Sequence, residues 1–149
     1  MSDTRTLADD SAGALVCELL ASAGHQVALR EIVKDDAAAI RAALERGLAS
    51  PDCSAVLLTG GTGVAPRDVT PEAVEPLLER RLPGFGELFR QLSFAEIGAA
   101  AMVSRAVGGL ARGKPVFAVP GSRAAVRLAL ERLILPELGH LAGEARKRG

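Results

Sequence analysis

Tryptophan and tyrosine are absent from the 149 residues and phenylalanine occurs four times, so no aromatic platform exists for stacking the bases of a single strand. Cysteine is scarce as well. Cys17 and Cys53 lie far apart and form neither a Cys-x-x-Cys pair nor a zinc-ligand spacing, which leaves them as buried free thiols. His25 and His140 stand alone, with no cysteine or acid beside them in a metal-binding pattern. Charge is balanced at 18 basic and 18 acidic residues, which argues against a large footprint for nucleic acid or an anionic membrane. No apolar run approaches the roughly 18 residues of a membrane span, and no cationic segment followed by an apolar core opens the chain. A soluble, cytoplasmic protein is expected. Gly-Lys-Ser and Gly-Lys-Thr are missing too, which excludes an ordinary P-loop.

The remaining composition suits one domain covering residues 1–149, without repeats or low-complexity segments. Asp9-Asp10-Ser11 reads as a helix cap, followed by Leu15, Val16, Leu19 and Leu20 at helical spacing up to Gly24. The run Val27–Val33 reads as a strand, after which Asp35-Asp36 caps a helix that ends near Gly47 and Pro51. A buried strand is expected over 54–59, then a glycine loop, then a helix capped by Thr70 with Pro71 at its first position. Pro83-Gly84 interrupts before one or two amphipathic turns at 85–92, and the alanine-rich stretch 98–104 is ambiguous. Val103–Leu110 and Pro115–Val119 flank a short connection that suits an antiparallel pair. Pro120-Gly121-Ser122 leads into the last helix, and Arg146-Lys147-Arg148 reads as a frayed, solvated tail. Strands alternating with helices imply a three-layer α/β domain with a mainly parallel, mixed sheet flanked by helices.

The stretch from Thr59 through Gly60-Gly61-Thr62-Gly63 to Asp68 and Glu72 carries the chemistry. Three glycines in four positions allow close backbone approach, so successive N–H groups can converge on an anion at the end of a strand. A tight turn is the alternative, but a turn alone rarely needs three glycines and a hydroxyl. An aspartate beside an anion site makes sense if Mg²⁺ lies between carboxylate and phosphate. The pattern points to nucleotide chemistry. It lacks a glycine at the last position of the Gly-x-Gly-x-x-Gly spacing and the immediate helix of a dinucleotide fingerprint, which argues against hydride transfer.

The phrase Thr59-Gly-Gly-Thr-Gly-Val-Ala-Pro-Arg-Asp-Val-Thr-Pro-Glu-Ala73 closely resembles the signature of the MoaB/MogA family of molybdenum-cofactor biosynthesis. The resemblance continues through Pro83-Gly-Phe-Gly-Glu87, Ser104-Arg105-Ala-Val and Ala118-Val-Pro-Gly-Ser122, in one order over nearly the whole chain. Phe89 to Gly98 looks more like the MoaB branch. What the resemblance implies is a protein that binds molybdopterin and ATP and transfers AMP to the pterin phosphate, releasing pyrophosphate. Such chemistry is in-line displacement at phosphorus, resting on positioning and charge neutralisation.

On this resemblance Asp68 is a catalytic residue, as Mg²⁺ ligand or phosphate-proximal carboxylate; otherwise it pairs with Arg67 or caps the approach to the helix. Asp35 matches a second family aspartate, although an Asp-Asp pair before a helix is also ordinary capping. Gly60, Gly61, Thr62, Gly63, Pro120, Gly121 and Ser122 are the expected substrate-binding set, with Ser122 serving equally well as a cap. Arg105 and Glu87 are expected in structural ion pairs, and Asp10, Ser11 and Gly13 resemble a family stretch near the pterin. The family implies a homo-trimer or hexamer, with the segment 98–104 as a contact, and other molybdenum-cofactor biosynthesis proteins as partners. A catalytically silent pterin-binding or scaffold homologue is the alternative reading, and a generic nucleotide-binding module a third.

The family opens with an apolar strand ending in Val/Thr-Ser-Asp/Asn, whereas Met1-Ser2-Asp3-Thr4-Arg5 starts just after where that strand ends. The expectation is a gap or an exposed edge in the sheet, from a start lying upstream or a compromised domain.

Overall fold

The computed structural model describes residues 6–147. Its elements in chain order are α1 (Ser11–Ser22), α2 (Ala37–Ala49), β1 (Val56–Thr59), α3 (Thr70–Val74), β2 (Arg80–Arg81), α4 (Pro83–Ile97), β3 (Val107–Ala111), β4 (Lys114–Val119), α5 (Arg123–Ala129) and α6 (Leu135–Arg146). The sheet order is β1-β4-β3-β2. β1 runs parallel to β4, from Val56 opposite Val116 to Thr59 opposite Val119. β3 returns antiparallel to β4, and the two-residue β2 lies antiparallel to β3. The sheet is mixed, as expected, with its parallel pairing confined to β1 and β4.

Arg112 (φ 49°) and Gly113 (φ 72°) make the β3–β4 turn, and two successive positive φ values match the right-handed twist of a tight hairpin. Within β4 the side chains alternate between two cores. Phe117 and Val119 pack with α1, α4, α5 and α6 on one face; Val116 and Ala118 pack with α2 and α3 on the other. This period of two, buried on both sides, is what a central strand between helical layers requires. Phe85 of α4 meets Phe117 with ring centroids 4.9 Å apart, locking α4 to the sheet.

Three helix starts are capped by side chains the sequence marks out. Asp10 accepts from the Gly13 N–H, Asp36 from Ala39 at 2.8 Å, and Ser122 from Ala125 at 3.1 Å. At the other end of α2, Lys114 Nζ donates to the carbonyls of Leu48 and Ser50 at 2.7 and 2.6 Å, satisfying carbonyls at the negative end of the helix dipole. Leu130–Ile134 forms a π-helical stretch between α5 and α6. Pro136 follows two residues after its end, where a missing N–H and a bulky ring would disrupt regular α geometry.

Several expectations need correction. Val27–Val33 is not a strand: the segment is unassigned, and residues 26–33 make no backbone hydrogen bond among the described residues. A strand needs a ladder partner, and none lies beside it among the described residues. Thr70 is the first residue of α3 and not its cap, because its hydroxyl is turned to the Gly60 carbonyl at 2.9 Å. The helix after Pro83 runs 15 residues rather than one or two turns, and 98–103 is a 3₁₀ helix. Cys17 and Cys53 are free but only half-buried. The C-terminal helix continues through Arg146, whose guanidinium donates to Ser54 Oγ at 2.7 Å; Arg148 lies outside the described residues.

The expected edge is present among the described residues. β1 ends the sheet order, and a cavity of about 710 Å³ lies between it, residues 25–33 and helices of both layers, α1 and α6 from one and α2 from the other.

Candidate functional site

β1 and β4 end side by side at Thr59 and Val119, so the loops that follow them emerge together. The Gly60 N–H donates to the Val119 carbonyl at 2.9 Å and extends the ladder by one residue. Gly60 (φ 95°) and Gly61 (φ 64°) then turn the chain through backbone conformations that side chains rarely adopt. The β4 loop presses against this turn: a Cβ on Gly121 would stand 3.1 Å from the Gly60 Cα.

The loop is held from behind. Thr70, fully buried, donates from its N–H to the Gly61 carbonyl at 3.0 Å and from its hydroxyl to Gly60. Arg105 donates from its backbone N–H to Thr62 and from Nε to Gly63, at 2.8 and 2.7 Å; its terminal nitrogens reach the Asp68 carbonyl and the Glu72 carboxylate. Carbonyls of the loop are thereby engaged by the protein. Its donors are not: among the described residues the N–H groups of Gly61, Thr62 and Gly63 have no protein acceptor. Thr62 is itself buried at 2 % exposure, which fixes the peptide groups on either side of it. Successive unpaired N–H groups held rigidly in a glycine turn are suited to an oxyanion.

Two carboxylates flank these donors. Asp68 Oδ2 accepts the Ala65 N–H at 2.9 Å, and a Cβ on Gly63 would stand 2.7 Å from it. No ion pair joins Asp68 to Arg67 among the described residues. Asp35 Oδ1 would lie 3.5 Å from a Cβ on Gly61, although 26 sequence positions separate the two residues. Of the Asp35-Asp36 pair, Asp36 caps α2, and Asp35 Oδ1 lies beside the glycine turn.

Among the described residues there is no cluster of three or more potential metal ligands, so no all-protein cage exists. The donor set nevertheless fits a hard divalent cation of the Mg²⁺ type, which usually takes one or two carboxylates and completes its shell with water and substrate phosphate.

Ser122 serves as the cap of α5, while Pro120 and Gly121 bring that loop against Gly60. Asp10 sits at the start of α1, paired with Arg30 at 3.1 Å. Burial pushes the Asp10 carboxyl up, but the Gly13 N–H and the Arg30 guanidinium outweigh it and leave it below the usual carboxylate range. Glu72 is also lowered, first by its hydrogen bond from Arg105. Arg105 was expected in an ion pair and makes one with Glu72, but its larger role as a clamp on the glycine loop was not legible. Arg30 was missed entirely, since its partner Asp10 lies 20 positions away.

With the geometry in place, similarity to known proteins decides the family. The family model described as "Probable molybdopterin binding domain" matches residues 2–140. The chain belongs to this molybdopterin-binding domain family. Within it the chain lies with the MoaB proteins. It is 52 % identical over 149 residues to molybdenum cofactor biosynthesis protein B of Bacillus cereus, spanning 99 % of this chain and 88 % of that protein. The Bacillus subtilis protein of the same name is 50 % identical over 148 residues, spanning 99 % and 87 %. A crystal structure of molybdenum cofactor biosynthesis protein B superposes with a TM-score of 0.96 at 53 % identity, covering 99 % of this chain and 92 % of that one. The tungsten cofactor synthesizing protein MoaB of Pyrococcus furiosus superposes at 0.85 with 38 % identity, covering 93 % and 87 %. MoaB-family membership places the chain in molybdenum-cofactor biosynthesis. No helix among the described residues is long and apolar enough to cross a membrane.

Proposed function

We propose that this MoaB-family chain binds molybdopterin and ATP and transfers AMP to the terminal phosphate of the pterin. A phosphate oxygen of the pterin attacks the α-phosphorus of ATP, the bond to the bridging oxygen of the β-phosphate breaks, and pyrophosphate leaves with the electron pair. A phosphate monoester is already largely dianionic near neutral pH, so the attacking oxygen carries no proton that a base must remove. Such a step calls for positioning and for dispersal of negative charge, not for a covalent intermediate on the protein.

The observation that carries this reading is the row of N–H groups at Gly61, Thr62 and Gly63, without acceptors among the described residues, between the carboxylates of Asp35 and Asp68. The N–H groups would orient phosphate oxygens. Asp68 and Asp35 would hold Mg²⁺, which when bound neutralises phosphate charge. Pro120, Gly121 and Ser122 would form the opposite lip, where Gly121 permits the approach to Gly60. The clamp by Arg105 and Thr70 keeps the donors fixed during turnover, which lowers the cost of reorganisation.

The test is formation of adenylated molybdopterin and pyrophosphate from molybdopterin, ATP and Mg²⁺. Absence of product, with both ligands still binding by calorimetry, would leave the second reading: a catalytically silent pterin-binding or scaffold homologue. ATP binding without pterin selectivity would instead indicate a generic nucleotide module.

Self-association as a homo-trimer or hexamer belongs to the same proposal, in cytoplasmic company with other molybdenum-cofactor biosynthesis proteins. Phe94, Ile97, Met102 and Val103 are 63, 58, 79 and 48 % exposed along the end of α4 and the 3₁₀ helix after it. An apolar stretch of that kind supports an interface between copies. Sedimentation as a monomer at micromolar concentration would contradict it.

A further inference from the structure

We propose that the groove between α3 and α4 is a second ligand site, which takes a small zwitterion of the α-amino-acid class with an apolar side chain and communicates with the glycine loop through Arg90 and Arg105. Neither the site nor its test requires adenylyl transfer.

The groove, of about 860 Å³, runs between α3, the first half of α4 and the segment that leads into β3. Six charged side chains line it, three of each sign. Four of them neutralise one another: Glu75 pairs with Arg81 at 2.9 Å, and Glu72 with Arg105. Glu87 and Arg90 are left over. They stand three positions apart on α4, near enough to meet on its surface, yet neither makes an ion pair among the described residues. The reason is Gly86. A Cβ there would stand 3.0 and 3.1 Å from the two terminal nitrogens of Arg90, so its absence lets the guanidinium fold back across the helix instead of reaching out to Glu87. Nη1 then meets the carbonyls of Ser104 and Ala106, but only at 3.4 and 3.5 Å, long for a charged donor. Nε and Nη2 donate to nothing among the described residues. The hydroxyl of Ser104, whose carbonyl Arg90 touches, is buried and also has no partner among them.

These uncompensated groups select the occupant by its charges. A plain anion would satisfy Arg90 but face Glu87, a plain cation would do the reverse, and an apolar molecule would take Arg90 and the Ser104 hydroxyl from water without partners. A zwitterion answers both charges. Its carboxylate would accept from the free Arg90 nitrogens and the Ser104 hydroxyl, and its ammonium would donate to Glu87. Leu82, Met102 and Val107 line the same groove, and Met102 is largely exposed, so an apolar side chain on the ligand has a surface to cover. Arg90 also ties the groove to the glycine loop. The two carbonyls that it touches flank Arg105, whose backbone N–H and Nε hold the Thr62 and Gly63 carbonyls. A carboxylate that fixes Arg90 therefore acts on the residue that clamps the loop.

The experiment titrates the full chain by calorimetry and amide NMR with L-leucine and with three partial mimics: isocaproate, which lacks the ammonium, isopentylamine, which lacks the carboxylate, and glycine, which lacks the side chain. L-Leucine should bind saturably at one site per chain, and each mimic at least about fivefold more weakly. Its binding should shift the amide resonances of Arg105 and Gly63 as well as those of Glu87 and Arg90. Glu87→Gln, at an exposed position, should fold as wild type and bind L-leucine no better than isocaproate, whereas Arg90→Met should lose L-leucine binding. No binding of L-leucine, binding of isocaproate as tight as that of L-leucine, wild-type L-leucine affinity in Glu87→Gln, or shifts that stop short of Arg105 and Gly63 would each overturn the proposal.

Discussion

Arg105 Nε donates to the Gly63 carbonyl at 2.7 Å across 42 positions of sequence, and the same guanidinium reaches the Asp68 carbonyl and the Glu72 carboxylate. One planar fork therefore sets the back wall of the glycine loop. Arg105→Lys retains the charge but offers a single ammonium in place of the fork, so it should behave much like Arg105→Ala. Both should cost about 1–3 kcal/mol in stability and weaken binding of the phosphate-bearing ligands. Chemical denaturation and calorimetry with ATP check this, and wild-type affinity in Arg105→Lys would show that the loop holds its shape without the fork.

Asp36 caps α2, whereas its neighbour Asp35 lies beside the glycine turn and is proposed to hold Mg²⁺. Asp36→Ala removes a helix cap and should cost about 0.5–2 kcal/mol in stability, with ligand binding retained. Asp35→Ala should leave the melting temperature nearly unchanged and weaken Mg²⁺-dependent ATP binding. Thermal melts and titrations of the two variants side by side test the division. A larger loss of stability in Asp35→Ala than in Asp36→Ala would reverse it.

The legible parts of this chain are those governed by local chemistry. Asp10, Asp36 and Ser122 announce helix starts, Arg112-Gly113 a tight hairpin, and the glycines after β1 a turn at a strand end. What was not legible depends on distant partners. Val27–Val33 has a strand's composition but no ladder partner among the described residues, so propensity alone misled. Thr70 has the identity of a cap, yet its hydroxyl is engaged by Gly60 of the preceding loop. At the site, the roles of Arg105 and Arg30 emerge only after folding brings Gly63 and Asp10 to them.

Asp68→Asn is the sharpest probe of catalysis. The amide is nearly isosteric and its carbonyl oxygen can still accept the Ala65 N–H, so folding and pterin binding should persist. Its loss of negative charge should lower AMP transfer by at least about a hundredfold, the scale of removing one electrostatic contributor from a transition state. Turnover of adenylated product measures it. Unchanged turnover would remove Asp68 from the mechanism.

Acid should act through Asp10. Its carboxyl is lowered in the folded chain, so its contribution is fully present above the ordinary carboxylate pKa of about 3.9 and is lost as pH falls through the lower folded value. The partner Arg30 is part of the cause. Arg30→Met keeps much of the apolar stem but removes the cation, leaving the Gly13 N–H to act against burial without the guanidinium. The variant should lose stability at neutral pH, and its stability should fall less steeply than wild type on going from pH 6 to pH 3. Urea denaturation at a series of pH values reads both effects. Parallel pH profiles for the two proteins would mean that the ion pair contributes nothing to the acid response.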